Sequence, residues 1–176
     1  MNKVLNYGKI ILENSDLKNE RKTGFINNDY DNFELSDINN IINIKNYTIY
    51  FMKKENSVGF YMNWHIDDAQ IVKRKNGLDG QIKISDKHYL HYNKKKPKYT
   101  IIIYGSDYNI DFKGGLLEFA DGSIIEPKKN YYILFNSDEL HRVHKITKGT
   151  RKNILIKLYE KVYTKDHISK EKLYHQ

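Results

Sequence analysis

Residues 114–151 read GGLLEFADGSIIEPKKNYYILFNSDELHRVHKITKGTR and contain several short segments typical of β-strands. The runs LLEFA, NYYILF and HRVHKI are rich in β-branched and aromatic residues, and turn-forming Gly, Pro, Asn and Asp separate them. Similar runs lie on both sides, at YTIIIYG before the stretch and at NILIKLYEK after it. Many short strands at near-regular spacing predict an antiparallel barrel, sandwich or jelly roll.

The length of 176 residues suits one domain with its own hydrophobic core, and we predict a single domain over residues 1–176. Its core is expected at about residues 47–160. Apolar residues make up 39% of the chain and aromatic residues 13%, which argues against disorder. Residues 1–46 are predicted to form a small N-terminal helical cap, with an amphipathic helix in LSDINNIINI that starts at Ser36. The tail TKDHISKEKLYHQ is predicted to be a flanking surface helix.

Cysteine is absent from the sequence. Disulfides, thiolate zinc sites and a cysteine nucleophile are therefore excluded. No apolar run approaches the length of a transmembrane helix, and the N-terminal residues lack a signal-peptide core. We expect a soluble, cytoplasmic protein without a membrane partner.

The formal net charge of +8 suggests an anionic partner, although the lysine excess also fits the codon usage of an AT-rich genome. A localised basic cluster is more informative than the total. Residues 69–98 hold nine Lys or Arg against two Asp, with KKKPK near the end. We interpret this segment as a basic lid or insertion. Its tyrosines and lysines could bind nucleic acid, or the lysines could simply be solvated.

The segment YMNWHIDDAQ, residues 61–70, places a histidine and a carboxylate two residues apart. On a strand, alternation puts one set of side chains on a common face: Tyr61, Asn63, His65 and Asp67. Trp64 and Ile66 would face the other way, into packing. An imidazole and a carboxylate on one face can bind a first-row metal, but a surface His–Asp hydrogen bond would give the same pattern.

The second half of the chain supplies matching residues, His141 and, ten positions later, Arg151. His65, Asp67 and His141 form a two-histidine, one-carboxylate set, which leaves three positions open on an octahedral Fe(II). A chelating 2-oxo acid and oxygen can occupy those positions. An arginine is the best side chain to hold the distant carboxylate of such an acid. With only four arginines in the chain, codon usage does not readily explain Arg151.

The order of these motifs resembles the Fe(II)- and 2-oxoglutarate-dependent dioxygenases, most closely the prolyl-hydroxylase-like branch. The matching residues are Gly114 and Gly115, Pro127 and Lys128, Phe135, His141 with Val143, and Gly149 with Arg151. Together with WHIDD, the resemblance covers roughly residues 58–160. The combination in this order is specific, although each piece alone is not.

The resemblance implies a double-stranded β-helix, a jelly roll with the iron at its open end. It implies that His65, Asp67 and His141 bind iron and that Arg151 binds 2-oxoglutarate. Tyr104 would help to hold the same carboxylate, unless the register shifts by one and places Ile103 there. The implied cofactor is Fe(II), with 2-oxoglutarate and O2 as cosubstrates and ascorbate as an additional reductant.

The substrate implied by the resemblance is a protein or peptide side chain, with proline favoured. Two departures leave alternatives open: IIIYGSD differs from the Tyr-Leu-Asn of prolyl hydroxylases, and NWHIDDA also looks like AlkB-type demethylases. The Arg-x-Asn-x-x-x-Arg run of those enzymes is matched by RKNILIK except at Lys157. The alternatives are therefore an AlkB-like nucleic-acid demethylase, a non-catalytic basic jelly roll that binds nucleic acid, and a metal-only cupin.

Several other polar residues near the motifs are not expected to bind the metal. On a strand His144 would face away from His141, so we expect it at the surface. We expect Asp68 to be solvated or to support a ligand, and Tyr61 either to line the pocket or to pack in the core. His88 and His91 lie in the predicted lid and are expected to be solvated or to face a substrate.

Overall fold

The computed structural model describes residues 4–10, 23–25, 42–67, 69–72, 81–85, 88–92 and 97–160. Within these residues the regular structure is fourteen strands and one 3-10 helix, Ile44–Asn46. The strands are β1 (Val4–Lys9), β2 (Thr23–Phe25), β3 (Tyr47–Ser57), β4 (Met62–His65), β5 (Ala69–Val72), β6 (Gln81–Ser85), β7 (His88–Tyr92), β8 (Tyr99–Tyr104), β9 (Phe112–Gly114), β10 (Leu117–Phe119), β11 (Ile124–Ile125), β12 (Tyr131–Asn136), β13 (His141–Val143) and β14 (Ile146–Glu160).

A seven-stranded antiparallel sheet is built around the longest strand, β14. Its order is β1-β12-β8-β14-β3-β2, and β9 pairs with the first part of β14. The register places Ile154 opposite both Ile103 of β8 and Lys53 of β3. Because side chains alternate along a strand, β14 presents Arg151 and Lys157 on one face and Ile156 and Leu158 on the other.

A four-stranded sheet with the order β11-β10-β13-β4 lies against one face of the large sheet. One apolar cluster joins the two sheets: Ile102, Tyr104, Ile133 and Phe135 come from the large sheet, and Leu117, Phe119 and Val143 from the small one. Two antiparallel sheets that share one core form a sandwich. The predicted mainly-β jelly roll is therefore confirmed.

A second apolar cluster covers the opposite face of the large sheet. Its buried members are Ile10, Ile42, Ile44, Ile49, Phe51, Ile101, Ile103, Tyr132, Leu134, Ile156 and Leu158. Full burial of one such aliphatic side chain contributes roughly 1.5–3 kcal/mol. The large sheet is consequently buried on both faces, which explains the continuous apolar run in YTIIIY instead of a strict alternation.

Two glycines allow β9 and β14 to approach closely. Gly114 and Gly149 both have positive φ, at 74° and 70°. A Cβ atom on Gly114 would lie 2.0 Å from the carbonyl oxygen of Lys145, and one on Gly149 would lie 2.0 Å from that of Asp111. Only glycine fits both conditions, and the resulting backbone course leads β14 towards Arg151.

The predicted N-terminal helical cap is not confirmed. Among residues 1–46, β1 and β2 are strands, and β1 extends the large sheet by pairing with β12. An edge strand offers unpaired backbone N–H and C=O groups, and β1 pairs with those of β12. Residues 35–41 of the predicted helix lie outside the described residues, Ile42 and Asn43 are not helical, and its last residue begins the 3-10 turn Ile44–Asn46.

Residues 69–98, predicted to be a basic lid or insertion, contain strands β5, β6 and β7. These form a three-stranded antiparallel sheet with the order β5-β7-β6. The C-terminal tail predicted as a surface helix lies outside the described residues. Within the part of the chain that is described, no helix has the length and apolar character needed to cross a bilayer. The single domain over residues 1–176 stays a prediction.

Candidate metal centre and 2-oxoglutarate pocket

Strands β4 and β13 bring two histidines together. His65 and His141 are direct partners in the antiparallel register, so their side chains lie on the same face of the small sheet. The centroids of the two imidazole rings are 4.3 Å apart. The ring of His141 also packs edge-on against Phe135, at 5.1 Å between centroids. Both imidazoles are therefore fixed between the sheets.

The same backbone interaction orients each imidazole. The Nδ1 of His65 donates to the carbonyl of Asn63, and the Nδ1 of His141 donates to the carbonyl of Glu139, both at 2.7 Å. Because a carbonyl can only accept, each Nδ1 carries the proton and each Nε2 keeps its lone pair for a metal. Burial, together with the neighbouring His141, lowers the pKa of His65, which favours this neutral form.

Asp67 follows β4 and is buried. Its backbone N–H donates to the carbonyl of Ser137 at 2.9 Å, and its Oδ2 accepts a hydrogen bond from the Oγ1 of Thr100. The hydroxyls of Thr100 and Ser137 are 2.8 Å apart. Since the Thr100 proton is directed at Asp67, Ser137 is the donor in that second bond. This series of hydrogen bonds fixes the plane of the Asp67 carboxylate.

The three predicted ligands converge. One ligand atom from each of His65, Asp67 and His141 lies within 4.8 Å of the others, a spacing that one metal ion can bridge. Two imidazole nitrogens and one carboxylate oxygen on one side of an ion suit a first-row metal such as Fe(II). The donor set therefore fits the iron expected from the sequence.

Lys157 is a residue of this site that sequence reasoning did not assign to it. Its Nζ lies 3.7 Å from the Oδ1 of Asp67, and the two side chains are only 7% and 8% exposed. A buried carboxylate needs a compensating partner. The signal that could have located Lys157 is the alternation of β14, which puts it on the same face as Arg151.

Arg151 lies further along the same face and is 3% exposed. Burial lowers its pKa, yet the guanidinium stays charged because arginine does not lose its proton in proteins. Its Nε has no hydrogen-bond partner among the described residues. A buried cation with a spare donor is suited to an anionic ligand.

Tyr104 lies beside Arg151, with the guanidinium carbon 5.7 Å from the ring centroid. Burial raises the pKa of Tyr104 to about 12, so the phenol is neutral. Ile103, the residue expected there if the register were shifted by one, belongs to the cluster on the opposite face of the sheet. The structure thus places Tyr104, and not Ile103, next to Arg151.

One cavity of about 430 Å³ connects these groups. Its polar wall includes His65, Asp67, Thr100, His141, Arg151, Asn153 and Lys157. Leu117, Phe135 and Val143 form part of its apolar wall. The Oδ1 of Asn153 is a further buried polar atom without a partner among the described residues. The cavity thus has a carboxylate with two imidazoles in one part and a guanidinium in another.

The remaining residues from the sequence analysis lie outside this cavity or outside the described residues. His144 faces away from His141 and approaches Glu118. Tyr61 is 56% exposed, so it does not pack in the core. Trp64, expected to face into packing, is 37% exposed and stacks on Arg142. Asp68 is not described, nor are the side chains of His88 and His91.

The predicted common face of Tyr61, Asn63, His65 and Asp67 is wrong. Met62 and His65 line the cavity, whereas Tyr61 and Asn63 line a groove outside it. The cause is an irregular register between β4 and β13. Ile66 and Asp67 both line the cavity. Asp67 is positioned by its bond to Ser137 and not by strand pairing. A turn at the strand end therefore brings the carboxylate to the histidines.

Comparison with known proteins identifies the family of the chain that has this site. The model for the 2OG-Fe(II) oxygenase superfamily matches residues 42–159. The chain belongs to this superfamily. The resemblance drawn from the sequence motifs is confirmed, and with it the dependence of this domain on Fe(II), 2-oxoglutarate and O2.

One relative matches a shorter part of the chain. A Xenopus tropicalis protein, 2-oxoglutarate and iron-dependent oxygenase domain-containing protein 3, is 41% identical over 63 residues, which is 33% of this chain and only 20% of that protein.

Solved structures with the same fold include the viral collagen prolyl hydroxylase of Paramecium bursaria Chlorella virus-1, at 15% identity and a TM-score of 0.52, over 78% of each chain. A Pseudomonas putida prolyl-4-hydroxylase is 14% identical, with a TM-score of 0.47 over 72% of this chain and 60% of that one.

Proposed function

We propose that this chain hydroxylates a protein or peptide side chain, with proline favoured, and releases succinate and CO2 from 2-oxoglutarate. One observation carries the proposal: a buried set of two imidazoles and one carboxylate shares a cavity with a buried guanidinium. The first group suits a metal and the second an organic acid. A jelly roll that only bound metal would not need Arg151.

In this proposal His65, Asp67 and His141 hold the iron. Bound Fe(II) supplies the activation of O2 that couples oxidation of 2-oxoglutarate to hydroxylation of the substrate. The protein contributes the orientation of the ligands. The carbonyls of Asn63 and Glu139 fix both imidazoles, and Thr100 fixes Asp67. Such supporting contacts keep the lone pairs directed at one point.

Arg151 would bind the distal carboxylate of 2-oxoglutarate. Its cavity position, charge and spare Nε donor support this role. Tyr104 would keep the guanidinium in place through its ring face and could add a neutral hydroxyl donor. The apolar wall formed by Leu117, Phe135 and Val143 would exclude water from the reacting groups.

The class of substrate is proposed from the fold. The viral enzyme with the same fold is named as a collagen prolyl hydroxylase, and a prolyl side chain is small enough for the cavity described above. Ascorbate would serve as an accessory reductant. Nucleic acid remains a second candidate partner, through the basic residues of 69–98.

An AlkB-like demethylase is the alternative reaction, and one observation favours it. Lys157 takes the place of the second arginine in the AlkB-like run, and it contacts the carboxylate of Asp67. A cation is therefore kept where those enzymes have one. The basic jelly roll without catalysis is the third hypothesis, and it predicts nucleic-acid binding that does not depend on His65.

The deciding experiment is anaerobic titration of the metal-free protein with Fe(II) and 2-oxoglutarate. We expect the weak visible charge-transfer band of the iron–2-oxoglutarate complex, and its loss in Arg151→Ala. Arg142→Ala, which removes an arginine from the surface, is the matched control and should keep the band. A folded wild-type protein without the band would refute the cosubstrate site.

Aerobic turnover then separates the two reactions. Succinate formation would be measured with proline-containing peptides and with N-methylated oligonucleotides. Stimulation by peptides alone supports the hydroxylase. Stimulation by methylated oligonucleotides alone supports the demethylase and contradicts the proposed substrate.

A further inference from the structure

A second concave surface lies outside the site cavity. An open groove of about 510 Å³ lies where the beginning of β4 runs beside the end of β13. Six of the residues lining it are Tyr61, Met62, Asn63, Arg142, His144 and Lys145. Met62 also lines the site cavity, and the carbonyl of Asn63 accepts from His65. The other four side chains take no part in the site described above. The groove is therefore a separate surface whose use has to be explained.

The groove adjoins the site cavity. Met62 and Val143 line both spaces. On the cavity side, His141 lies two residues before Val143 on β13, and it is one of the three candidate metal ligands. Among the described strands β4 is an edge of the small sheet, and Met62 on it is exposed. A chain lying in the groove could therefore cross this edge beside Met62 and place one side chain in the cavity.

Apolar and aromatic side chains are exposed at this groove. Tyr61 is 56% exposed and Met62 is 41% exposed, and Val58, shortly before them in the chain, is 62% exposed. Contiguous exposed apolar surface on a protein marks a candidate binding site. Tyrosine and methionine supply contact area that adapts to an extended chain.

The charges at the groove are unbalanced. Arg142 donates to Glu118 from Nε at 2.7 Å, and His144 approaches the same carboxylate oxygen at 2.5 Å. Glu118 thus compensates these two groups. Lys145 is exposed, and its ammonium has no ion pair among the described residues. Among the described residues no carboxylate lines the groove, so the charge that these residues give it is positive at Lys145.

We infer that this groove binds the main chain of the peptide substrate and that Lys145 selects an acidic side chain near the residue to be hydroxylated. The inference rests on the proposed hydroxylation of a protein side chain, and it adds the class of peptide. Tyr61 and Met62 contact the peptide through apolar surface. Lys145 supplies the charge that distinguishes one peptide from another.

The groove suits a peptide better than a nucleic acid. A strand of nucleic acid carries one phosphate per nucleotide, and its binding requires several cations along the backbone. The groove has one cation that Glu118 does not compensate, next to exposed apolar side chains. An acidic peptide needs only one such contact.

The test uses fluorescence anisotropy on the full chain, kept anaerobic with Fe(II) and 2-oxoglutarate so that nothing turns over. The probes are two labelled decapeptides with a central proline, one flanked by aspartates and the other by lysines. A single-stranded DNA decamer is the third probe. The variants are Lys145→Glu, Tyr61→Ala and the control Lys129→Glu, which makes the same charge change at an exposed turn away from the groove.

We expect the wild-type protein to bind the aspartate peptide about tenfold more tightly than the lysine peptide, and Lys145→Glu to remove or reverse this preference. Tyr61→Ala should weaken both peptides by about tenfold and leave the preference intact. Lys129→Glu should change neither affinity by more than about twofold.

Equal binding of the two peptides by the wild-type protein would overturn the inference, and so would equal effects of Lys145→Glu and Lys129→Glu. DNA binding that Lys145→Glu abolishes, without peptide binding, would assign the groove to nucleic acid instead. The iron–2-oxoglutarate charge-transfer band distinguishes failure of the groove inference from failure of the proposed function. A protein that shows the band but no peptide preference refutes the groove alone, and one without the band refutes the proposed function.

Discussion

Two carboxylate clusters lie on opposite faces of the small sheet, and they differ in almost every physical respect. The inner cluster consists of Asp67 with Thr100, Ser137 and Lys157. The outer cluster consists of Glu118 with Arg142 and His144. His141 and Arg142 are consecutive residues of β13, yet the first faces the inner cluster and the second belongs to the outer one.

The two clusters differ in how far water reaches their charged groups. Glu118 accepts hydrogen bonds from Arg142 and His144, which are partly exposed, so solvent screens the ion pair with Arg142. Asp67 has one cation at 3.7 Å and one hydroxyl donor, and both are buried with it. A buried charge that loses one partner cannot recruit water instead. The inner cluster should therefore respond strongly to substitution and the outer cluster weakly.

Asp67→Ala tests the largest expected effect. The variant removes the one carboxylate that the described residues contribute to the candidate metal site. We expect turnover of 2-oxoglutarate to fall by more than about 100-fold because Fe(II) is no longer held. Succinate formation and Fe(II) titration are the measurements. Asp138→Ala, at an exposed position shortly before His141, is the control. Turnover at the wild-type rate in Asp67→Ala would end the assignment of the triad.

Thr100→Val isolates the hydrogen bond that fixes Asp67. The substitution keeps the shape of the side chain but removes the donor to Oδ2 and the acceptor for Ser137. We expect a 10–100-fold loss of metal affinity, of the order found for supporting contacts, measured by Co(II) titration. Thr150→Val removes a hydroxyl that lies 3.5 Å from that of Ser57 at an exposed position, and it should leave metal affinity unchanged.

Lys157→Met compares a buried ion pair with an exposed one. Removal of the ammonium leaves Asp67 charged and buried, so the metal-free variant should lose about 3 kcal/mol in free energy of unfolding. Bound Co(II) should restore part of the loss because the metal then compensates the carboxylate. Lys152→Met removes a pair with Glu55 in which the side chains are 57% and 69% exposed, and its expected cost is below about 1 kcal/mol. Equal losses in urea unfolding would contradict the comparison.

Glu118→Gln should have the smallest effect, seen only in the pH dependence. Hydrogen bonds from His144 and then Arg142 lower the pKa of Glu118. Because the folded-state pKa lies below the ordinary value of 4.5, the stabilisation is present above pH 4.5 and is lost as the pH falls through the folded-state pKa. The variant should therefore show a weaker loss of stability in acid than the wild type. Glu126→Gln, at an exposed position, is the control, and an identical acid profile for all three proteins would argue against the cluster.

Much of the fold could be predicted from the sequence because its signals are local. The apolar runs at β8, β12 and β14 have turn residues at both ends, and each became a strand. The helical cap was the exception. A short apolar pattern near the N-terminus cannot indicate that the edge of β12 is available for pairing with β1.

The candidate site also has residues that could be predicted from the sequence and others that could not. His65 and Asp67 lie in one short motif, and the ten-residue step from His141 to Arg151 is readable along the chain. Thr100 and Ser137 are 33 and 70 residues from Asp67, and nothing in the sequence near either one marks it as a partner.

The sequence by itself determined the strand pattern, the types of the metal-binding side chains and the position of a charged residue for the cosubstrate, since each depends on residue type and short spacing. Tertiary structure alone decided which groups meet. It placed Lys157 and Thr100 on Asp67, turned Trp64 outward onto Arg142, and opened a groove beside the site cavity. These outcomes depend on pairing and packing between segments far apart in the chain, and their energies come from burial that no single segment can achieve alone.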